Sequence, residues 1–577
     1  MFRRIVLRVA IVFLSVQSTL TLQAQDAVLK VIPEGALAIA YVNQLERANE
    51  GFTKVSRLVG HDGRDLLQIA RATSGLKQGV DNKGMLALAV LPGTDAAPVV
   101  VAFVPTSDYQ ALIKQFEPDD PNAKTVKVQL AERTVVIGQK EHFAVIAAAE
   151  HQGVLEAVLD SQTSIAGRVE PLREFLNAGD FCIVVPRSGV ELAMREALKG
   201  LEIIKAQIAQ AGEQAQIAAA GIGVYESLFN TIRENVTHFA MTARIDQSGT
   251  VHIASQTLLK SENGAAAPAK TDQATALKWL KCLPPGPFVF ALGGTTEGIR
   301  AENMMKWSVE MWRSMGIAGE LDAEQTKKLV EAGRRAMEGV RSMGFVLSVG
   351  EKDEPLYGRM YVTSHVDDAE SYLERYEEMI AAMRSLTEDR SIPFYSEMEV
   401  NRIEIGDESA LEVIMGFGSV PGASNVEVNE IYKRMFGGDK MRFYMAAADK
   451  TTVVGAYTSQ DQLVRALELA RSEKADLSDD DQIAATAKLL PGDAQWTAYL
   501  SPQGSFDFAK RAMSLFAPEA PQPAWPQFAA SPPFGFALKI TSQGVETDLV
   551  APADTLKAIG QFNSDIRRTR AENTQPD

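Results

Sequence analysis

Five blocks from the first half of this chain recur, in the same order, in its second half. The first pairs IPEGALAIAYV, from Ile32, with LPPGPFVFALG, from Leu283, each a Pro-Gly turn feeding an apolar strand. The second pairs GMLALAVLPGTDAAPVVVAFVPTSD, from Gly84, with GFVLSVGEKDEPLYGRMYVTSHVDD, from Gly344, two strands and a turn that run into a helix. VIAAAEHQGVLEAVL at Val145 answers VVGAYTSQDQLVRAL at Val453, and GDFCIVVPRSGVELA at Gly179 answers QWTAYLSPQGSFDFA at Gln495, with Gly189 over Gly504. FAMTARIDQSGTVHI at Phe239 lies over FGFALKITSQGVETD at Phe534 without a gap, and a hairpin with Gly249 or Gly544 at its tip suits both. One such match is within the reach of chance, because strand-turn-helix segments look alike. Five in one order imply an internal duplication.

Each half runs strand, helices, hairpin, capped helix, strand, helix, strand, helices and final hairpin. That order predicts an α+β protein of two similar units, each a largely antiparallel sheet covered by helices on one side. A chain of 577 residues, 46% of them hydrophobic, is long enough for two full cores. The first repeat is placed at residues 25–260 and the second at 276–562, with the small, polar, proline-bearing connector SENGAAAPAKTDQAT at 261–275 between them. The copies differ by insertions. Residues 190–233 predict a helical hairpin, which the second copy replaces with the proline-rich PEAPQPAWPQFAASPP. The second copy adds residues near 392–441, including the alternating strand MEVNRIEIG. The tail, 563–577, is nearly devoid of apolar side chains and is expected to be disordered.

Residues 1–24 place Arg3, Arg4 and Arg8 before a short apolar run and end at Leu22-Gln23-Ala24. That is the layout of a cleaved secretory signal, so a periplasmic or secreted protein without a stable membrane span is expected. A net charge of −16 disfavours nucleic acid as a partner. Cys182 and Cys282 could pair in an oxidising compartment, but two separately buried thiols is the reading the residues favour. The LPPG-strand opening, the strand-to-capped-helix element and the duplication behind a signal peptide resemble a family of secreted bacterial proteins of unknown function. The resemblance implies an extracytoplasmic α+β protein and carries over no activity and no functional residue.

Thr106-Ser107-Asp108 sits where a strand hands over to a helix, as nucleophiles do in some enzymes. The repeat lays it over the segment Thr363 to Asp368, ahead of a second amphipathic run, so Thr106, Asp108, Ser364 and Asp367 are read as helix caps. The six histidines never fall at metal-binding spacing, and His365 is read as a surface residue. Ser74 to Lys77 matches S-x-x-K, but Ser107-Asp108-Tyr109 and Lys270-Thr271-Asp272 only imitate the motifs that should follow it. Asp476, Ser478 and Asp480 have calcium-loop spacing without the required Gly and Glu, and are read as the acidic start of a helix. Met304, Trp307, Met311 and Met315 form one helical face, read as core. No catalytic, cofactor or metal residue emerges. The expectation is a non-catalytic extracytoplasmic protein with a binding or structural role, its partner an unknown protein or extracellular ligand. The alternative is a divergent hydrolase with a carboxylate pair in a cleft between the repeats.

Overall fold

A computed structural model describes residues 25–63, 65–93, 97–130, 133–209, 215–260, 277–296, 309, 322–387, 397–416, 425–472, 474–516 and 525–573. Residues 1–24, read above as a signal, the connector at 261–275 and the face of Met304, Trp307, Met311 and Met315 lie outside them. The chain forms two compact units. The first comprises residues 1–195, 233–263 and 544–577, and the second residues 196–232 and 264–543.

The first unit contains β1 (Ala38–Val42), β2 (Leu86–Leu91), β3 (Val99–Pro105), β4 (Thr125–Leu130), β5 (Arg133–Lys140), β6 (Phe143–Ala148), β7 (Phe181–Pro186), β8 (Val236–Ile245) and β9 (Val251–Leu259). The second contains β10 (Phe288–Thr295), β11 (Val340–Ser348), β12 (Met360–Val366), β13 (Glu397–Ile405), β14 (Glu408–Gly416), β15 (Lys440–Ala447), β16 (Thr452–Tyr457), β17 (Trp496–Leu500) and β18 (Phe534–Ile540). The last strand, β19 (Gly544–Ala551), returns to the first unit and pairs with β9. Of the helices, α1 is Leu45–Leu58, α2 Tyr109–Lys114, α3 Arg187–Ala209, α4 Ala215–Asn235, α5 Ala369–Thr387, α6 Gln460–Ala470, α7 Pro502–Phe516 and α8 Ala553–Asn573.

Every strand pairing within a unit is antiparallel. The first sheet runs β4-β5-β6-β3-β2-β1-β7-β8-β9-β19. The second runs β13-β14-β15-β16-β12-β11-β10-β17-β18. Both units are therefore mixtures of helix and antiparallel sheet, as the order of elements predicts.

Period-2 burial explains the strands. In β2, Ala87, Ala89 and Leu91 are buried and alternate with half-buried neighbours. The main core of the first unit sets Ile39, Val101, Phe103 and Val145 against Leu155, Val158, Leu172 and Leu176. Ala144 and Ile146 of β6 point to the other face, where Leu112 and Ile113 of α2 join Val126, Val128 and Ile137. Helices thus lie on both faces here, not on one as expected. The reason is visible in β6 itself, FAVIAA, whose first five residues are all buried, which requires cover on both sides.

The hairpin between β8 and β9 forms as predicted, with Gly249 at φ 98° and the Asp246 carboxylate accepting from the N–H groups of Ser248, Gly249 and Thr250 at 2.8–3.0 Å. The helical hairpin of the insertion is α3 and α4, and MEVNRIEIG supplies β13. The tail departs from expectation: α8 continues the chain as helix through Asn573. Its buried first turn, with Thr555, Leu556 and Ala558, nucleates it, and Gly560 packs on the Leu58 carbonyl at the end of α1, where a Cβ would stand 2.1 Å from that oxygen. Ser564 and Thr569 hydroxyls donate to carbonyls four residues back, and Arg568 pairs with Asp565. Helix propagation from an anchored start needs no apolar tail.

Candidate functional site

Asp108 is a cap: its Oδ1 accepts from the Ala111 N–H at 2.9 Å at the start of α2. Thr106 is not. Its Oγ1 and its N–H both donate to the His142 carbonyl, at 3.0 and 2.8 Å, fastening the end of β3. In the second unit the cap is Asp368, which accepts from the Ser371 N–H at 2.9 Å. Ser364 lies inside β12, fully buried and hydrogen-bonded to Tyr372, while Asp367 is exposed and pairs with Arg341 at 2.6 Å. The strand simply runs two residues further than the polar composition of TSHVDD suggests. Asp368→Ala is therefore expected to destabilise the full chain in chemical unfolding more than Asp367→Ala does, because only the former removes a helix cap.

His365 is also within β12, half-buried, and burial holds its imidazole below its ordinary pKa. The surface reading of that residue is corrected accordingly. Asp476 and Asp480 cap a short 3-10 turn and the helix Asp481–Ala487, and Asp476 Oδ2 also takes the Cys282 N–H at 2.9 Å. The acidic-start reading describes them. Among the described residues no cluster of His, Cys, Asp and Glu could hold a metal. Both cysteines are free and buried. The Cys182 thiol donates to the Leu176 carbonyl at 3.3 Å, and burial pushes it up to about 12. Burial raises Cys282 as well, with Asp476 adding to it.

The second unit holds a cleft backed by a connected polar network. LPPGP runs directly into β10 and places Pro284, Pro285 and Pro287 along one wall. Ser348 and Val349 at the end of β11, Arg359 and Tyr361 at the start of β12, and Arg465 and Leu469 on α6 complete a cavity of about 260 Å³. Helix α6 is capped by Ser459 and buries Leu463, Ala466 and Leu467. Arg465 and Leu469, one turn apart on the next stripe, are thereby left facing the cavity.

Behind the cavity stands a connected polar network. Arg359 bridges Glu351 Oε1 at 2.5 Å and Glu354 Oε2 at 2.7 Å. Gln462 donates to Glu354 Oε1 at 3.4 Å and accepts from the Tyr361 hydroxyl. Arg511, from α7, donates to the Glu354 and Pro355 carbonyls, and Gly350 makes room for it: a Cβ there would stand 2.1 Å from Arg511 Nη1. Arg511 Nε and Nη1 are buried without a hydrogen-bond partner, and burial lowers the guanidinium pKa, opposed by Glu354. For Glu354, burial pushes upward, but the Glu351 N–H and the Arg359 guanidinium prevail and hold it below its ordinary value. Tyr361 is raised, chiefly by burial, and stays a neutral donor.

Both carboxylates are committed to Arg359, and Glu354, held below its ordinary value, is not placed as a general acid, which requires a raised pKa. Arg465 differs. It is exposed at the mouth and makes no ion pair or hydrogen bond among the described residues. Apolar walls, one neutralised arginine deep in the network and one uncommitted arginine at the rim suit an anion with an apolar body. None of Arg359, Tyr361, Gln462 or Arg465 was singled out from the sequence. The one available cue was the proline-dense LPPGP at 283–287, where the segment from Ile32 in the first unit reads IPEG.

The first unit contains a polar cluster of another kind. Asp180, just before β7, lies 3.0 Å from Arg47 Nη2 of α1, with side-chain exposures of 10% and 22%. Burial pushes the Asp180 carboxyl up to about 7, only partly offset by Arg47 and Arg244. Burial likewise lowers Arg47. Asp180 Oδ2 and Asn43 Oδ1 are buried without partners. Both shifts have one meaning: desolvation exceeds attraction at this pair.

Comparisons with protein-family models, with curated proteins and with solved structures return no match for this chain.

Proposed function

We propose that this chain is an exported, non-catalytic binding protein made of two copies of one α+β module, the second of which takes a small carboxylate with an apolar body in the cleft at Arg465. The duplication is supported by topology. Renaming β10, β11 and β12 as β1, β2 and β3, β14 to β16 as β4 to β6, and β17 and β18 as β7 and β8 turns the β4-to-β8 run of the first sheet into that of the second, with β13 added at one edge of the second and β9 and β19 extending the other edge of the first. Single hydrogen bonds recur as well. Asn43 N–H donates to the Asp180 carbonyl at 2.8 Å, and Thr295 N–H to the Gln495 carbonyl at 2.9 Å. Gly79 at φ 75° receives the Ser107 N–H at 3.0 Å, and Gly339 at φ 77° receives the Asp367 N–H at 2.8 Å. Independent folds have no reason to place left-handed glycines at matched strand-to-helix corners.

Divergence after duplication supports a role for one copy. Where the second unit has Pro285, the first has Glu34, which pairs with Arg168 at 3.1 Å. The observation that carries the reading is the uncommitted Arg465 guanidinium over proline and leucine walls. Export is supported by the basic-apolar-polar layout of residues 1–24.

Calorimetric titration of the full chain with short-chain and aromatic monocarboxylates tests it. Binding is expected to weaken at least about tenfold, or about 1.4 kcal/mol, in Arg465→Gln, with unfolding stability held within about 0.5 kcal/mol as befits an exposed side chain. Equal affinities for wild type and variant would refute the assignment. Export is tested separately: the mature chain is expected to begin at Gln25, and an intact Met1 terminus in the exported fraction would remove that part.

A further inference from the structure

We infer that the first unit carries a second, independent anion site, specific for a phosphoryl group, at the base of the α3–α4 hairpin. A concavity of about 380 Å³ there is lined by Arg187, Glu191, Arg195, Arg233, Glu234 and Lys260. These six come from three elements. Arg187, Glu191 and Arg195 lie at four-residue intervals on α3, Arg233 and Glu234 are in the last turn of α4, and Lys260 follows β9 directly. Four cations thus meet two carboxylates in one hollow, within a chain whose net charge is −16.

The wiring shows which cations are spoken for. Arg187 Nε holds Glu191 Oε1 at 2.7 Å, and its Nη1 donates to the Val236 carbonyl at 3.0 Å and, more weakly, to that of Glu234 at 3.4 Å. It therefore serves the orphan carbonyls at the end of α4, as cations at helix C-termini do. The Arg233 and Lys260 side chains make no ion pair or hydrogen bond among the described residues. Gathering like charges in one hollow is unfavourable unless an anion joins them, and the surplus is two positive charges. A dianionic phosphoryl group matches that surplus, and the guanidinium fork of Arg233 beside the point charge of Lys260 matches its tetrahedral oxygens. The volume leaves room for the molecule to which the phosphoryl group is attached.

The test uses the folded full chain. Titrations at pH 7.5 and fixed ionic strength compare inorganic phosphate, glycerol 3-phosphate, vesicles containing phosphatidic acid, and chloride. Saturable binding of at least one phosphoryl ligand over chloride is expected. It should weaken at least tenfold in the Arg233→Gln/Lys260→Gln double variant, persist in Lys199→Gln and in Arg465→Gln, and weaken at pH 5, below the second phosphomonoester pKa of about 6. Lys199 is the control because it pairs with Glu196 on the same helix and does not line the hollow. Phosphate binding alone assigns a free ion. Binding of glycerol 3-phosphate or vesicles alone assigns an esterified headgroup. No preference over chloride, or a double variant that binds as wild type does, overturns the proposal. Circular dichroism of the double variant, whose altered side chains are not buried, confirms that loss of binding is not loss of fold.

Discussion

Arg47→Met is expected to destabilise the protein by about 1 kcal/mol more at pH 8 than at pH 5, the linkage cost of about one pH unit above the folded pKa of its partner carboxyl. Asp180 sets the pH dependence: its carboxyl is pushed up to about 7 in the fold from 3.8 ordinarily, with burial as the main cause. The folded state therefore binds this proton more tightly than the unfolded chain does. The stability it contributes is fully present below about 3.8 and is lost as pH rises through about 7. At pH 8 the carboxylate is charged and Arg47, 3.0 Å away, is its compensation. Remove the guanidinium and the buried carboxyl takes up a proton instead, at a cost of about 1.4 kcal/mol for each pH unit above about 7. At pH 5 the carboxyl is protonated with or without Arg47, so only packing is lost. Urea unfolding of wild type and variant at both pH values measures the difference, and Asp180→Asn should flatten the wild-type slope between them. A penalty identical at pH 5 and pH 8 would show that Asp180 does not titrate in this range.

Gly189→Ala and Gly504→Ala are expected to cost about 3 kcal/mol each, the upper range for overpacking. A Cβ on Gly189 would stand 1.7 Å from the Leu37 carbonyl oxygen, and one on Gly504 would stand 1.7 Å from that of Phe288. Backbone oxygen cannot rotate away as a side chain would, so a helix or a strand must move. Gly153 supplies the contrast: it is helical, with nothing within 4 Å of its added Cβ, and Gly153→Ala should gain up to about 1 kcal/mol. Equilibrium unfolding separates the three. Tolerance of alanine at either Gly189 or Gly504 would mean that the matched close approach is not a shared requirement of the two modules.

Those two glycines also show what a sequence can reveal. Patterns spanning a strand and its turn were readable: the β8–β9 hairpin with Gly249, the helices α3 and α4, and β13 all lie where periodicity and turn residues put them. Patterns that depend on register were not. In TSHVDD, whether Asp367 or Asp368 caps α5 turns on where β12 stops, and a cluster of polar letters does not say that Thr363 and Ser364 are buried. The cover on both faces of β6 was written in FAVIAA, which lacks any polar alternation. The cleft was illegible for a different reason. Its residues are scattered from Pro284 to Leu469 and acquire meaning only through partners, since Glu354 is fixed by Arg359 while Arg465 has no such tie. Charge pairing is a property of distance, and composition reports only totals.

The path of the polypeptide has one more consequence. Residues 264–543 are interposed between two portions of the first unit, whose strand β19 and helix α8 are made only after them. During synthesis β9 must wait with one side unsatisfied until some 280 intervening residues have emerged. A nascent chain interrupted anywhere before Gly544 exposes a bare strand, the kind of template on which other chains assemble. The nested order leaves the first sheet open until β19 has been made, and it favours chaperone escort until then.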